Sequence, residues 1–402
     1  MLKFLKKNPY VSIGLMLFAL FFGAGNLIFP AFLGQNAGTN LSTAMIGFII
    51  MGVGLPLLGV IVMGYSGAED LLDLSSRAGK VFGVAFTTLL YLTIGPFFAI
   101  PRTGTTTYEL GLSSFVGPEN TTIAQAIFLA FFMGLTLWLA ISPNKLVDRI
   151  GTVITPVLLL SMVVLIIASL VKPMGAAQEP TKTYQTTSLA FTNGLMEGYN
   201  TMDALASLVF GIIVINSVKL YGAKTKKEVF NNTAKSAIIA AVLLALVYVF
   251  ISNIGATSVS VLGLVTACAS FFVRLYDKVS YKTYAIALTL FSFAVGNYGL
   301  AAIIQGAVPV LVLLYPLTMV LILLGFLNNF FGGKKVVYVC TVLFTGLFSL
   351  YSTVASTFKL AVPAVDNVLA KVNFLPVPAD FAWLNYALVG FVLGIVLSFF
   401  VK

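Results

Sequence analysis

Twelve apolar runs follow one another along this chain, and most are long enough to cross a lipid bilayer as a helix. A bilayer core of about 30 Å needs about 20 residues of helix. The runs lie at 9–33, 43–64, 81–112, 121–141, 149–171, 187–216, 236–254, 258–273, 282–299, 304–328, 335–353 and 382–401. The sequence therefore predicts an all-α polytopic membrane protein with twelve transmembrane helices, the eighth shortened, in a single transmembrane domain over 1–402.

The composition agrees with this interpretation of the apolar runs. Hydrophobic residues make up 59% of the 402 residues and charged residues 9%, whereas soluble domains carry about 25% charged residues. The runs also lack the alternation that is typical of transmembrane barrel strands. The two cysteines, Cys268 and Cys340, both lie in apolar runs, which indicates packing and neither a disulfide framework nor a metal site.

Basic residues are distributed unevenly between the two sets of alternate loops. Of the 23 Lys and Arg residues, only Lys172, Lys182, Lys359 and Lys371 fall in the second set, and Arg102 lies inside the third run. Because cytoplasmic loops retain positive charge, the pattern predicts that both termini are cytoplasmic. The net charge of +10 follows from this bias and indicates no nucleic-acid partner.

The first run is interrupted near its middle. FFGAGNLIFP, residues 21–30, contains Gly23, Gly25 and Asn26 and ends with Pro30. Irregular backbone at membrane depth is tolerated only where protein, water or a ligand satisfies its polar groups. The stretch therefore predicts either a glycine-packed helix interface with a proline kink, or a discontinuous helix that lines a binding site.

The sixth run carries a second polar interruption. Within an apolar span it places Glu197, Gly198, Tyr199, Asn200, Thr201 and Asp203. Acidic groups at membrane depth are rare and usually functional, but a loop that enters the membrane, or carboxylates that reach its edge, would give the same pattern. Asp203 also fits a cap for the helix that follows.

The two interrupted runs are five crossings apart, so they traverse the membrane in opposite directions. This layout is typical of secondary transporters built from inverted repeats, whose discontinuous helices meet near the membrane midplane. The sequence therefore predicts a first repeat over 9–171, a second over 187–328 and two additional helices over 335–401.

Four motifs carry a resemblance to a known family: FALFFGAGNLIFP around the first interruption, GPFFAIPRTGTTTYELG at 95–111, NGLMEGYNTMDALASLVFG at 193–211 and GLVTACASFF at 263–272. They resemble the bacterial branched-chain amino acid carriers, which are cation symporters for leucine, isoleucine and valine. More distantly, the family is similar to the bacterial leucine transporter. The resemblance implies a 5+5 inverted-repeat core with discontinuous helices 1 and 6, alternating access, and a place in the bacterial inner membrane.

The resemblance also implies how a substrate is held. Its carboxylate would bind free amides after the first interruption, where a partly buried anion gains up to ~2 kcal/mol. Its ammonium would bind unwound carbonyls at 195–200, with Glu197 as a further acceptor, and its side chain would contact Phe21, Phe22 and Tyr199. The predicted substrate-binding residues are Phe22, Gly23, Ala24, Gly25, Asn26, Glu197, Gly198, Tyr199 and Asn200.

Sodium is the coupling ion that the resemblance implies, and no other cofactor is expected. Carbonyls of Ala19 and Phe22 and hydroxyls of Ser260 and Thr266 would bind it. Inward movement of one charge gains ~2.3 kcal/mol per 100 mV, which is enough to concentrate a neutral zwitterion.

The connection before the eighth run is shorter here than in the family, because NIGATSVS runs directly into VLGLVTACASFF near Ser260 and Val261. A helix over 258–273 reaches only ~24 Å at 1.5 Å per residue. Proton coupling through Glu197 or Asp203, and an uncoupled or impaired carrier, therefore remain alternatives to sodium symport.

Arg102 and Glu109 lie seven residues apart in the third run, on one face of a helix. They predict either a gating or structural ion pair, or charged groups at an exposed helix end. Pro101 and Gly104 are equally consistent with a simple helix end.

Two other protein classes fit the sequence less well. A membrane enzyme needs a catalytic constellation, but the chain has no histidine and no phosphate-binding loop motif. A channel needs a polar, symmetric pore lining or a selectivity filter. The sequence therefore predicts a secondary transporter of small molecules and not an enzyme.

Overall fold

The structure is a computed structural model, and it describes residues 8–23, 25–112, 116–141, 160, 179–254, 281–360 and 363–400. These residues form helices and turns, with no β-strand among them, so the predicted all-α class is confirmed. Two compact units are present. Unit 1 comprises Met1–Gly64 and Tyr91–Ile304, and unit 2 comprises Tyr65–Leu90 and Gln305–Lys402.

The helices are numbered here in chain order within the described residues. They are α1 Pro9–Phe21, α2 Gly25–Ala37, α3 Leu41–Ile49, α4 Leu55–Ser66, α5 Leu71–Ser76, α6 Lys80–Leu92, α7 Ala99–Gly111, α8 Thr121–Ala140, α9 Thr187–Asn200, α10 Asp203–Leu220, α11 Lys226–Ile254, α12 Tyr281–Gly296, α13 Leu300–Leu327, α14 Lys335–Phe358, α15 Pro363–Val372 and α16 Trp383–Leu397. The π-helical turns are Ile50–Gly54 and Thr93–Phe97, and the 3₁₀ turns are Gly38–Asn40, Pro118–Asn120, Lys182–Tyr184 and Ala379–Phe381.

The predicted membrane runs fall mainly on helices in the part of the chain that the structure describes. Within the described part of the chain, eight helical spans are long and apolar enough to cross a membrane, and one of them joins the first run to the second over Gly25–Ser66. The eighth run, at 258–273, and the fifth, at 149–171 apart from Leu160, lie outside the described residues. The count of twelve crossings and the repeats therefore stay predictions.

Two helices differ from their predicted extents. The predicted seventh run covers 236–254, but α11 begins at Lys226, because the polar residues before the apolar part continue the same helix. The predicted third run is one segment, but the structure divides it at Thr93–Phe97, where Gly95 has φ −95° and ψ −116°. Pro96 lacks the N–H that an unbroken helix would use at this point.

In unit 1, α9 packs against α3 with almost no side chain between the two backbones. A Cβ built on Gly194 would overlap the Ala44 carbonyl oxygen, and one built on Gly198 would lie 2.6 Å from the Phe48 carbonyl oxygen. Small residues permit such a close approach of helix backbones. The α1 and α2 helices pack along α11 in the same unit, so both ends of the first interrupted run lie against one long helix.

A short segment of unit 1, residues 181–185 and here called the strap, is attached to α2 and to the turn that follows it. The Thr181 N–H donates to the Asn36 carbonyl at 3.0 Å. The Asn40 side-chain amide donates to the Tyr184 carbonyl at 2.8 Å. Tyr184 is buried, so the strap places an aromatic residue inside unit 1 directly before α9.

In unit 2, α14 and α16 are closely packed, and a Cβ built on Gly394 would lie 2.8 Å from the Val337 Cα. The Tyr338 hydroxyl donates to the Asn328 side-chain oxygen at 3.0 Å. The Lys334 ammonium donates to the Ser398 carbonyl at 2.6 Å. These contacts stabilise unit 2, while the residues of the candidate site described next all belong to unit 1.

Candidate functional site

The first helix break lies where the sequence predicts it, between α1 and α2. The α1 helix ends at Phe21, and α2 begins at Gly25. The Gly23 N–H donates to the Asn26 side-chain oxygen at 3.0 Å, and the Asn26 N–H donates to the Gly23 carbonyl at 3.1 Å. Asn26 therefore closes the break, and its backbone amide, which was expected to be free for a carboxylate, already has an acceptor. Ala24 lies outside the described residues.

The second break is short and lies later than predicted. The unwinding expected at 195–200 is wrong in position, because α9 stays helical through Asn200 and α10 begins at Asp203. Met202 between them adopts the left-handed region with φ 69°, a conformation that is costly for a residue with a side chain. The Thr201 hydroxyl accepts the Asp203 N–H at 3.3 Å. Such local side-chain bonds compete with the helix ladder, which explains why the break falls at Thr201 and Met202.

Three buried polar side chains connect the two breaks. The Asn26 amide donates both to the Asp203 carboxylate and to the Tyr248 hydroxyl, and the Tyr248 hydroxyl donates to the same carboxylate at 3.0 Å. All three residues are less than 5% exposed. They belong to α2, α10 and α11, so the cluster fixes the second half of each interrupted run to a continuous helix.

Arg102 of α7 lies between the breaks and is only 5% exposed. Its guanidinium donates to the carbonyls of Asn200 and Thr201, both at 3.4 Å, and lies over the Phe29 ring at 5.6 Å. A positive charge is favourable at the carboxyl end of a helix such as α9. A Cβ built on Gly25 would lie 2.6 Å from Arg102 Nη2, so glycine at this position leaves room for the guanidinium.

A cavity of about 40 Å³ lies at this meeting point. Its lining is Leu20, Phe21, Gly23, Gly25, Asn26, Ile94, Ala99, Arg102, Thr103, Thr201, Met202, Asp203, Ala206 and Phe210. The volume is enough for a few water molecules but not for a whole amino acid. Phe21 and Phe210 contact edge to face at 5.5 Å and form an apolar wall, while Arg102 supplies a guanidinium and Asp203 a carboxyl group.

The structure brings together only some of the predicted substrate residues. Gly23, Gly25 and Asn26 line the cavity, and the Asn200 carbonyl accepts a hydrogen bond from Arg102. The other predicted substrate residues that the structure describes do not line the cavity, and their positions indicate packing. Phe22 stacks on Phe18 at 5.3 Å, and Gly198 contacts α3. In α9, Tyr199 is buried and Glu197 is half-buried.

The predicted sodium site is described only in part. Ala19 lies in the last turn of α1 and Phe22 directly after it, where carbonyls have no intrahelical partner. Ser260 and Thr266 lie outside the described residues, so this site stays a prediction.

The predicted pair of Arg102 and Glu109 also stays a prediction. The Arg102 guanidinium donates to the carbonyls of Asn200 and Thr201 at the end of α9, whereas Glu109 is exposed. The structure therefore gives Arg102 a place in the cavity that the gating interpretation did not include.

Several residues of the site were not among those predicted. Tyr248 lies in a uniformly apolar run, where a single hydroxyl gives no signal in the sequence, and Phe210 is one of 34 phenylalanines. The wall that contains Ile94 and Ala99 comes from the break in the third run. The dipeptide Gly95-Pro96 is the signal that could have revealed this break.

Comparison with known proteins identifies relatives along nearly the whole chain. The profile of the family described as "Branched-chain amino acid transport protein" matches residues 6–262 and 259–401. The permease BrnQ of Bacillus subtilis is 40% identical over 430 aligned positions, covering 97% of each chain. BraB of the same bacterium is 38% identical, covering 97% of this chain and 96% of its own. Both are described as branched-chain amino acid permeases.

Solved structures are more distant. A manganese transporter of Eremococcus coleocola is 13% identical with a TM-score of 0.43, covering 97% of this chain and 92% of that chain. MhsT in complex with L-phenylalanine is 15% identical with a TM-score of 0.42, covering 96% of this chain and 98% of that chain. The family assignment rests on the sequence matches, which are high and nearly complete: this chain belongs to the branched-chain amino acid transport protein family.

Proposed function

We propose that this protein carries leucine, isoleucine and valine across the membrane by alternating access. The family description and the names of its permease relatives support this substrate class. The observation that carries the proposal is the cavity between the two helix breaks, which has an apolar wall on one side and both Arg102 and Asp203 among its polar residues. An aliphatic amino acid likewise has an apolar part, its side chain, and a charged part, the zwitterion of its ammonium and carboxylate groups.

In this proposal the substrate side chain lies against Phe21, Ile94 and Phe210. These three side chains line the cavity and offer no hydrogen-bonding groups. In an apolar pocket one methylene changes binding by only ~1–3 kcal/mol, so leucine, isoleucine and valine compete for one site. The ammonium group lies on the side of the Asp203 carboxylate.

Binding requires the site to widen, since the cavity of about 40 Å³ is smaller than the substrate. The two breaks provide the points at which this occurs. At Gly23 and at Met202 the backbone lies outside the helices, and a few residues at element ends are enough to absorb a hinge motion. Changes in angle at these two points alternate access from one side of the membrane to the other.

We propose that a cation gradient drives uptake, with sodium bound by carbonyls of Ala19 and Phe22 and hydroxyls of Ser260 and Thr266. Proton coupling is the second candidate, and the position of Asp203 favours it, because this carboxylate is buried and lines the cavity. The groups that face it are Asn26, Tyr248 and the charge of Arg102.

The comparison with relatives also bears on the coupling ion. The family profile is matched in two stretches that meet at residues 259–262. The 430 positions aligned with BrnQ exceed the 402 residues of this chain, so the relative has residues that this chain lacks. Because the proposed sodium hydroxyls lie beside this junction, a carrier that uses protons, or one that has lost its coupling, is consistent with the same sequence.

The test is uptake of radiolabelled leucine into liposomes that contain the purified protein, with an imposed sodium gradient or an imposed pH gradient. Sodium symport predicts uptake that depends on the sodium gradient and persists at equal pH. Accumulation that is unchanged when choline replaces sodium contradicts it, and dependence on the pH gradient then supports the proton alternative. A carrier also predicts faster entry of label when unlabelled leucine is inside, whereas a channel gives no such acceleration.

We further place the protein in a bacterial inner membrane with both termini in the cytoplasm, on the support of the lysine and arginine distribution. Alkaline phosphatase and green fluorescent protein fused after the last residue test this orientation. A cytoplasmic terminus gives fluorescence and no phosphatase activity, and the reverse result contradicts it.

A further inference from the structure

We infer that Arg102 is the residue that recognises the substrate carboxylate, and that it leaves the two carbonyls at the end of α9 when substrate binds. This inference rests on the proposed function and adds a role for one residue. Arg102 lines the cavity and is buried, and it is the only Lys or Arg among the lining residues of the described chain. A guanidinium binds a carboxylate through two parallel hydrogen bonds, a geometry that no other side chain of the lining offers.

Several other donors near the cavity are already engaged. The Gly23 N–H donates to the Asn26 side chain, and the Asn26 N–H donates to the Gly23 carbonyl. The Asn26 side-chain amide donates to Asp203 and Tyr248, and the Thr103 hydroxyl donates to the Ala99 carbonyl at 2.7 Å. A carboxylate that bound any of these donors would have to displace one of these bonds.

Two of the hydrogen bonds of Arg102 are suited to exchange for a carboxylate. Its bonds to the Asn200 and Thr201 carbonyls are both long, at 3.4 Å, and a bond to a charged acceptor is shorter and stronger than one to a neutral carbonyl. When the guanidinium turns to the substrate carboxylate, these two carbonyls become available to the substrate ammonium. One movement of Arg102 thus prepares sites for both ends of the zwitterion.

The movement also explains the size of the cavity. Arg102 occupies space between Gly25, the Phe29 ring and the end of α9, so rotation of its side chain widens the cavity without a change in the backbone at that point. The same geometry gives Gly25 a specific reason to be glycine, because a Cβ there would lie 2.6 Å from Arg102 Nη2.

The experiment compares binding of leucine with binding of leucinamide, which has the same size and ammonium group but a neutral amide in place of the carboxylate. Affinities are measured by competition with radiolabelled leucine or by thermal stabilisation, on wild type, Arg102→Gln and Arg102→Lys. Arg102→Gln is expected to bind leucine about 10- to 100-fold more weakly while affinity for leucinamide changes less than about threefold. Arg102→Lys keeps the charge but not the paired bonds, so its affinity for leucine is expected to lie between those of wild type and Arg102→Gln.

Arg77→Gln is the matched control, because this arginine also donates to a backbone carbonyl, that of Ser66 at 2.8 Å, but belongs to unit 2. It is expected to keep the wild-type ratio of the two affinities. If Arg102→Gln cannot be purified as folded protein, Gly25→Ala replaces it. The added methyl displaces the flexible guanidinium of Arg102. Because leucine and leucinamide have the same size, any steric effect of the methyl on binding should be equal for the two ligands.

The outcomes separate the inference from the proposed function. If wild type binds neither leucine nor isoleucine, the proposed function is wrong. If wild type binds leucine, and Arg102→Gln lowers the affinities for leucine and leucinamide equally or not at all, their ratio is unchanged. Arg102 then has only a structural role, and the inference is wrong. The inference is supported if Arg102→Gln lowers the ratio of leucine affinity to leucinamide affinity while Arg77→Gln keeps the wild-type ratio.

Discussion

The side-chain amide of Asn26 in α2 donates to the carboxylate of Asp203 in α10, although the two residues are 177 positions apart in the sequence. Each residue lies next to a helix break, so this hydrogen bond connects the two interrupted runs directly. Buried polar groups are costly without partners, which makes this contact a determinant of the structure around both breaks. The predictions that follow test this contact and three others.

Removal of the Asp203 carboxylate should destabilise the protein. In Asp203→Ala, Asn26 and Tyr248 lose their shared acceptor inside the protein, and a buried unsatisfied group costs ~1–3 kcal/mol. Asp203→Asn keeps an acceptor for Asn26 and should be affected less. Thermal unfolding in detergent measures the difference, with Asp380→Ala at an exposed position as control. An Asp203→Ala protein that unfolds at the wild-type temperature contradicts the prediction.

Addition of one methyl at Gly194 should separate α9 from α3. In Gly194→Ala the new Cβ overlaps the Ala44 carbonyl oxygen, and overpacking of this kind costs ~1–3 kcal/mol. Gly134→Ala is the matched control, because no atom lies within 4 Å of a Cβ built on Gly134, and a helical glycine replaced by alanine gains ~0.5–1 kcal/mol. Opposite shifts in unfolding temperature are expected, and equal shifts would refute the close contact.

Truncation of Phe210 should change substrate choice. Phe210→Ala removes half of the aromatic wall formed with Phe21, so leucine should bind roughly tenfold or more weakly, while larger side chains such as that of phenylalanine gain room. Inhibition of labelled leucine uptake by unlabelled phenylalanine measures this change. Phe331→Ala removes a buried phenylalanine from unit 2 and should lower stability without a change in substrate preference. Unaltered competition in Phe210→Ala would place the substrate elsewhere.

The Tyr184 phenol should make stability fall at high pH. Burial, and then the negative charge of Glu197, raise the pKa of Tyr184 above its usual value of 10.0. Since the folded pKa is above the unfolded one, this contribution to stability is complete below pH 10.0 and decreases as the pH rises further. Tyr184→Phe should therefore show a smaller loss of unfolding temperature between about pH 9 and pH 11. Tyr298→Phe, at an exposed position, is the control and should keep the wild-type slope.

The sequence predicted the helix class and one of the two breaks directly. Gly23 and Gly25 beside Asn26 fit either a helix break or a glycine-packed interface, and the structure has the break at this stretch, between Phe21 and Gly25. The second break lies later than the polar residues Glu197 and Gly198 predict. It follows Asn200, at Thr201, whose hydroxyl forms local hydrogen bonds. Local competition between a side chain and the helix ladder is not visible in a hydropathy pattern.

The partners within the site could not be read from the chain in advance. The Tyr248 hydroxyl contacts Asp203 across 45 positions, and Arg102 reaches carbonyls 98 and 99 positions away. Contacts of this kind depend on how helices rotate about their axes and on which glycines let them approach. Arg102 did stand apart in the charge distribution as the basic residue inside a run, but the distribution alone did not say what it contacts.

The glycine contacts between α9 and α3 determine which parts of unit 1 can turn independently. With Gly194 against Ala44 and Gly198 against Phe48, no layer of rotatable side chains separates the two backbones to absorb a tilt. The proposed change of angle at Thr201 and Met202 is therefore expected to move α3 together with α9. In that case an opening beside Asp203 also displaces the second membrane-spanning run, more than 130 positions earlier in the sequence.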